Sequence, residues 1–234
     1  MELITGIDEA GRGALIGPMV ISGVTIPISN EEKLRKLGVK DSKLLSPKKR
    51  EELYDKIEKL ATNIAIMRVQ SCKIDNYRAM GVNLDKIEAM RMAQIIDLNV
   101  DSKIYVDSLE QNSKKFKQLI VSFLQKKDAD LVVENYLDES VIVVGAASII
   151  AKVERDKAIK ELEREVGEPV GVGYSHDPIT ISFVEKLIKQ TKGNLPDYVR
   201  KSWVTTELLM EKSFQRKVKD FFFGGKKDCK EEHI

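Results

Sequence analysis

The sequence predicts an α/β fold: a mixed five-stranded sheet flanked by helices, followed by a C-terminal helical region. Short apolar runs rich in β-branched residues recur at Leu3–Asp8, Met19–Ile26, Asn63–Gln70, Lys103–Asp107 and Asp130–Glu134, with the length and composition of buried strands. Helical patterns intervene, and the later strands alternate with them, which makes parallel crossovers available. After about Pro169 strand signals fade, and loops with two or three helices follow.

The elements follow in order along the chain. Little helix separates the first two runs, so the first three strands can pair as an antiparallel meander, and the later two join the sheet in parallel. Ser46 before Pro47 reads as an N-cap followed by proline at the first helical position, opening a helix that runs to Leu60. Leu84–Leu98 and Lys114–Gln125 have amphipathic helical spacing, and Ala146–Val166 is a longer helix ending before Gly167. The expected organisation is an α/β domain over 1–168, a helical region over 169–214, a short motif at 215–222 and a disordered tail over 223–234.

Composition narrows the chemistry. The chain has 234 residues, enough for one good core, with or without a small appendage. No apolar stretch is long enough to span a bilayer, and the N-terminus lacks the basic and apolar segments of a signal peptide, so a cytoplasmic location is expected. The two cysteines, Cys72 and Cys229, are far apart, and His176 and His233 are the only histidines. A metal site must therefore be built mostly from oxygen, which favours Mg²⁺ or Mn²⁺ over Zn²⁺. Between Lys186 and Lys219 nine Lys or Arg face three Asp or Glu, although the net charge of the whole chain is only +2. A basic C-terminal third suits an anionic partner, though a solvated helix face is the plain alternative.

The most informative segment is Ile4-Thr5-Gly6-Ile7-Asp8-Glu9-Ala10-Gly11-Arg12-Gly13. Two adjacent acids at the end of a buried strand are costly unless paired or bound to a cation. Gly11, Arg12 and Gly13 then bring backbone amides and a guanidinium close to an anion. Carboxylates for a metal beside donors for a phosphate is the layout of a phosphodiester-cleaving site. Asp107 ends another strand, so two strands can deliver carboxylates to one sheet edge. Ser148, Lys152 and Asp156 recur at four-residue spacing along one helix face, with Asp156 at its rim. Tyr174 sits in the Gly171–Pro178 turn.

Each feature has a plainer reading: a turn aspartate, a solvated ion pair, a loop anchor. Asp8, Glu9, Asp107 and Asp156 stand out as a set that can share one sheet edge. Gly11, Gly13 and Gly17 superficially match a dinucleotide loop, but Pro18 and the run Val20–Ile26 put a strand where that loop needs a helix. A Ser-His-Asp hydrolase is also weak, because no G-x-S-x-G elbow occurs.

Several segments resemble, in order, the motifs of type 2 ribonucleases H (ribonuclease HII). They are Gly6–Gly13, Asp41-Ser42-Lys43-Leu44-Leu45-Ser46, Ala147–Asp156, Gly171-x-Gly173-Tyr174 and, in an archaeal form, Arg200-Lys201-Ser202-Trp203. The resemblance spans about residues 3–205. It implies a ribonuclease H-like fold and four catalytic, metal-binding carboxylates falling on Asp8, Glu9, Asp107 and Asp156, with two Mg²⁺ or Mn²⁺ ions in the active complex. It implies cleavage of RNA in RNA/DNA hybrids and incision 5′ of ribonucleotides embedded in duplex DNA, leaving 5′-phosphate and 3′-hydroxyl. Gly11, Arg12, Gly13 and Tyr174 are then the sensors of the RNA–DNA junction. Lys43, Ser148, Lys152, Arg200 and Lys201 are further candidates for substrate contact. Ala14 stands where relatives often have proline, and Ser175-His176 replaces the commoner Pro-Ser. A non-catalytic nucleic-acid-binding protein would show a broken acidic set, and the HIII branch a different loop. Gln215, Val218, Phe221 and Phe222 resemble a PIP box, the motif that binds the sliding clamp PCNA, and the protein is expected to act as a monomer.

Overall fold

A computed structural model describes residues 2–39, 45–110 and 112–214. Five strands form one sheet: β1 (Leu3–Ala10), β2 (Met19–Pro27), β3 (Asn63–Val69), β4 (Ser102–Asp107) and β5 (Leu131–Glu134). Their spatial order is β3-β2-β1-β4-β5, with β1, β2 and β3 antiparallel and β1, β4 and β5 parallel. This is the mixed sheet predicted, and the strand limits differ from the sequence reading by one or two residues.

Helices α1 (Glu31–Lys36) and α2 (Pro47–Leu60) lie between β2 and β3. The predicted start of α2 holds: the Ser46 side chain accepts from the Lys49 amide, and Pro47 opens the helix. Helices α3 (Ser71–Ala79) and α4 (Leu84–Asp97) lead to β4, and α5 (Ser113–Phe123) leads to β5. After β5 come α6 (Leu137–Ser140) and α7 (Ile142–Val166), then α8 (Pro178–Thr191) and α9 (Val204–Phe214). Helix α7 starts four residues earlier than expected, and its end at Gly167 uses a left-handed C-cap (φ 74°). Among the described residues no helix is long and apolar enough to cross a membrane. The segments predicted as clamp motif and tail, 215–222 and 223–234, lie outside the described residues, as do Asp41–Leu44.

Among the described residues three large cores divide the work, beside a small cluster of Ala10, Val20 and Ala151. One joins the α4 and α5 side of the sheet, around Ile7, Ile21, Met92, Ile96 and Ile104. A second packs α7, through Val143, Ala147 and Ile150, onto the opposite face with α2. Contact there is close at Gly6, where a Cβ would stand 2.4 Å from the Val143 backbone. A third core holds α8 and α9 against the far half of α7 and against Leu15 and Ile16. The helical C-terminal part thus shares its core with the loop after β1, which brings it to the site.

Candidate active site

Asp8 and Asp107 reach one end of the sheet because β1 and β4 are parallel and in register. Ile7 pairs with Val106, so the next residue of each strand is an aspartate. Both carboxylates are buried. Asp138, in the first turn of α6, joins them: ligand oxygens of Asp8, Asp107 and Asp138 all lie within 4.8 Å of one another. The Leu137 amide donates to Asp107 Oδ1 (2.8 Å), fixing α6 against the end of β4. Successive strand residues point to opposite faces, so Glu9 is directed away from Asp8, toward Glu88 on α4. Its Oε2 is buried without a hydrogen-bond partner.

Burial pushes the Asp8 carboxyl up to about 7, against the Ser148 hydrogen bond and the Lys152 charge, with Asp107 adding to the rise. Burial also raises Glu9 well above the usual carboxylate range, helped by Glu88, Asp8 and Asp107. Acids crowded and dried in this way are stable either protonated or with a cation among them. An all-oxygen donor set with an orphaned buried carboxylate oxygen fits a hard divalent cation.

Asp156 differs from its predicted placement. Ser148 reaches Asp8, and Asp156 lies eight residues further along α7, about 12 Å at helical rise. Its carboxylate is half-exposed and pairs with Arg50 (3.1 Å) and Arg155 (3.5 Å). Asp138 takes the place expected of it. The sequence does hold a signal for Asp138: it follows the carboxyl end of β5, the strand beside β4, as Asp107 ends β4.

The predicted sensor residues do meet. The Gly11 amide donates to the Tyr174 hydroxyl (3.1 Å), and the Arg155 guanidinium lies 4.5 Å from the Tyr174 ring centroid. Gly13 is exposed, with open space where a Cβ would stand. Arg12, expected on a phosphate, is instead gripped by Asp85, Glu88 (2.7 Å) and Glu110 (3.3 Å). Burial works against its charge, but Glu88 and Asp85 outweigh that and raise its pKa. Lys152 donates to Ser148 (2.7 Å) beside Asp8. Lys201 is exposed, with Asp197 at 3.4 Å from its ammonium. Arg200 corrects the reading as a phosphate contact. It is fully buried and donates to the carbonyls of Gly11, Arg12 and Gly17, so no phosphate reaches it. Lys43 lies outside the described residues.

A profile of the family described as ribonuclease HII matches residues 5–206. The chain belongs to the ribonuclease HII family. It is 41% identical over 221 residues to ribonuclease HII of Methanococcus maripaludis strain C6, covering 93% of this chain and 91% of that protein. Its structure is similar to ribonuclease H2 of Pyrococcus horikoshii OT3 at a TM-score of 0.82 and 36% identity, over 92% of this chain and 100% of that one. A second similar structure, from Archaeoglobus fulgidus, is ribonuclease HII in complex with PCNA: TM-score 0.76, 37% identity, 86% and 95% covered. As a ribonuclease HII the protein is a metal-binding endonuclease of the ribonuclease H class, which cleaves the RNA strand of RNA/DNA hybrids.

Proposed function

We propose that this ribonuclease HII also incises duplex DNA on the 5′ side of embedded ribonucleotides, by two-metal hydrolysis that leaves 5′-phosphate and 3′-hydroxyl. The observation that carries the reading is the meeting of Asp8 on β1, Asp107 at the end of β4 and Asp138 on α6, with Glu9 on the other face of β1 but near enough for the charges of Asp8 and Asp107 to raise its pKa. These four acids are the proposed metal ligands. Mg²⁺ or Mn²⁺, two ions in the active complex, supplies an activated water and charge stabilisation at the leaving 3′-oxygen. The protein's part is to hold four oxygen donors in a dry site, where Lys152 and Ser148 orient Asp8. Asp156 is assigned to bracing α7 against Arg50.

The amides of the Gly11–Gly13 loop are the proposed readers of the 2′-hydroxyl, the group that separates RNA from DNA at one position. Tyr174, tied to that loop through Gly11, is proposed to stack on the following deoxyribose. Lys201, and Lys43 from outside the described residues, are proposed phosphate contacts that position the duplex without reading sequence. Arg12 is proposed to hold the loop to α4 through its carboxylates. The enzyme is proposed to act as a monomer in the cytoplasm and to dock the sliding clamp PCNA through residues 215–222, a reading supported by the complex of the Archaeoglobus relative. The deciding experiment is Mg²⁺-dependent nicking of duplex DNA carrying one ribonucleotide. A single nick on its 5′ side is expected, and an intact duplex alongside a cleaved RNA/DNA hybrid would remove the incision from the proposal.

A further inference from the structure

We propose that Arg200 is a positioning residue, which sets the backbone of the Gly11–Gly13 loop so that the Arg12 and Gly13 amides face a bound ribose. This rests on the reading of that loop as the 2′-hydroxyl sensor.

Nη1 of Arg200 donates to the Arg12 carbonyl (2.5 Å), and Nη2 donates to those of Gly11 (2.5 Å) and Gly17 (3.2 Å). In a trans peptide the C=O of one residue and the N–H of the next point in opposite directions. Turning the Gly11 carbonyl inward therefore turns the Arg12 amide outward, and turning the Arg12 carbonyl inward does the same for the Gly13 amide. The outward side is open at Gly13, where a Cβ would meet nothing within 4 Å. The Gly11 amide goes instead to Tyr174, so one turn serves both halves of the sensor.

Arg200 is itself held from several sides. Its amide donates to the Leu15 carbonyl (2.8 Å), and its carbonyl accepts from the Thr206 hydroxyl (2.8 Å). Its guanidinium lies 4.8 Å from the ring centroid of Trp203, and Arg78 covers the same ring at 5.1 Å. Asp75 on α3 accepts from the Lys201 and Ser202 amides. The Arg200–Trp203 segment is thus a bracket between α3 and the loop after β1. A buried cation whose acceptors are carbonyls is costly, and burial pulls the Arg200 pKa down to about 9. Packing alone needs no charge there. A planar fork that turns three carbonyls at once does need a guanidinium.

The test compares full-length wild type with Arg200→Lys and Trp203→Leu in Mg²⁺. Single-turnover cleavage is measured on a duplex with one ribonucleotide and on a continuous RNA/DNA hybrid. Hydrogen exchange of residues 11–17 and thermal melting are read in parallel. A lysine keeps the charge but cannot hold three carbonyls. Misplacing the amides by a fraction of an ångström should cost Arg200→Lys about 30-fold at the lone ribonucleotide and about threefold on the hybrid, with duplex affinity within about twofold. Exchange in residues 11–17 should accelerate while α7 keeps its protection. A folded Arg200→Lys with the wild-type ratio between the two substrates overturns the proposal, as does an equal loss on both with unaltered exchange. If Arg200→Lys does not fold, Trp203→Leu decides by the same ratio: a selective loss supports the bracket and an unchanged ratio overturns it. Failure of the wild type to incise at a lone ribonucleotide, with hybrid cleavage intact, would instead overturn the sensor reading on which the proposal stands.

Discussion

Asp138 and Asp156 stand in different settings, one in a buried acidic group and one in an ion pair on α7, and the proposal gives the cation to the first. Asp138 meets Asp8 and Asp107 in a buried site, so Asp138→Asn should lower turnover by about a thousandfold or more, as Asp8→Asn and Asp107→Asn should. Asp156→Asn removes a half-exposed ion pair with Arg50 and should cost less than about tenfold, since such pairs are worth about 1 kcal/mol or less. Initial rates in Mg²⁺ on a hybrid substrate check the contrast, and the reverse order would return the fourth-ligand role to Asp156. The raised pKa of Asp8, about 7 against an ordinary 3.8, gives a second prediction. In the metal-free protein the folded state holds this proton more tightly than the unfolded chain. Its contribution to stability is therefore full below about pH 4 and is lost as pH rises through about 7. A divalent cation must displace the same proton, so its protection grows as the pH rises. Thermal melts with EDTA and with Mn²⁺ between pH 5 and 8 should show the Mn²⁺-induced rise in Tm increasing with pH.

Among the elements, α7 and β1 set the position of Asp8, and Gly6 sets the distance between them. A Cβ there would stand 2.4 Å from the carbonyl carbon, the carbonyl oxygen and the following nitrogen at Val143. Gly6→Ala should therefore cost about 2 kcal/mol or more, seen as a lower urea midpoint, with reduced turnover because Ser148 is levered away from Asp8. Tyr174→Ala should harm incision at a lone ribonucleotide more than duplex binding, because phosphate contacts dominate affinity. Equal cleavage by that variant would leave Tyr174 as a loop anchor. The strands were legible because buried β-branched runs bounded by Gly and Pro leave a local signature. Ser46-Pro47 marked α2 for the same local reason. Helix α3 was not legible: Ser71–Ala79 carries Lys73, Asp75, Asn76 and Arg78 among few apolar residues, and its hold on the Arg200–Trp203 segment is long-range. Asp138 is not legible because it lies beyond the end of β5, in a four-residue helix too short to leave a periodic pattern. Arg200 looked like a phosphate contact because burial is a property of the whole fold, which a basic stretch of sequence does not reveal.

At the scale of the whole molecule, the described chain ends at Phe214 on α9, and the Gln215–Phe222 motif follows at once. Helix α9 packs beside α8 in the third core, through Leu209, and that core reaches Leu15 and Ile16 behind the Gly11–Gly13 loop. The proposed metal ligands sit elsewhere, on β1, β4 and α6. A partner gripping residues 215–222 would hold the chain beyond α9, on a segment that supplies none of the proposed metal ligands. This separation makes the clamp proposal testable apart from catalysis. A glutamine, an aliphatic residue three positions on and paired aromatics three further can seat one helical turn in an apolar pocket, the helix-in-groove mode of recognition. Replacing Phe221 and Phe222 with Ala should abolish capture by immobilised PCNA, while nicking of a ribonucleotide-containing duplex without the clamp stays within about twofold, as expected for independent sites. The same variant should lose any stimulation of nicking that PCNA gives the wild type. Retained capture, or a lowered Tm in the double variant, would instead place these aromatics on the protein's own surface.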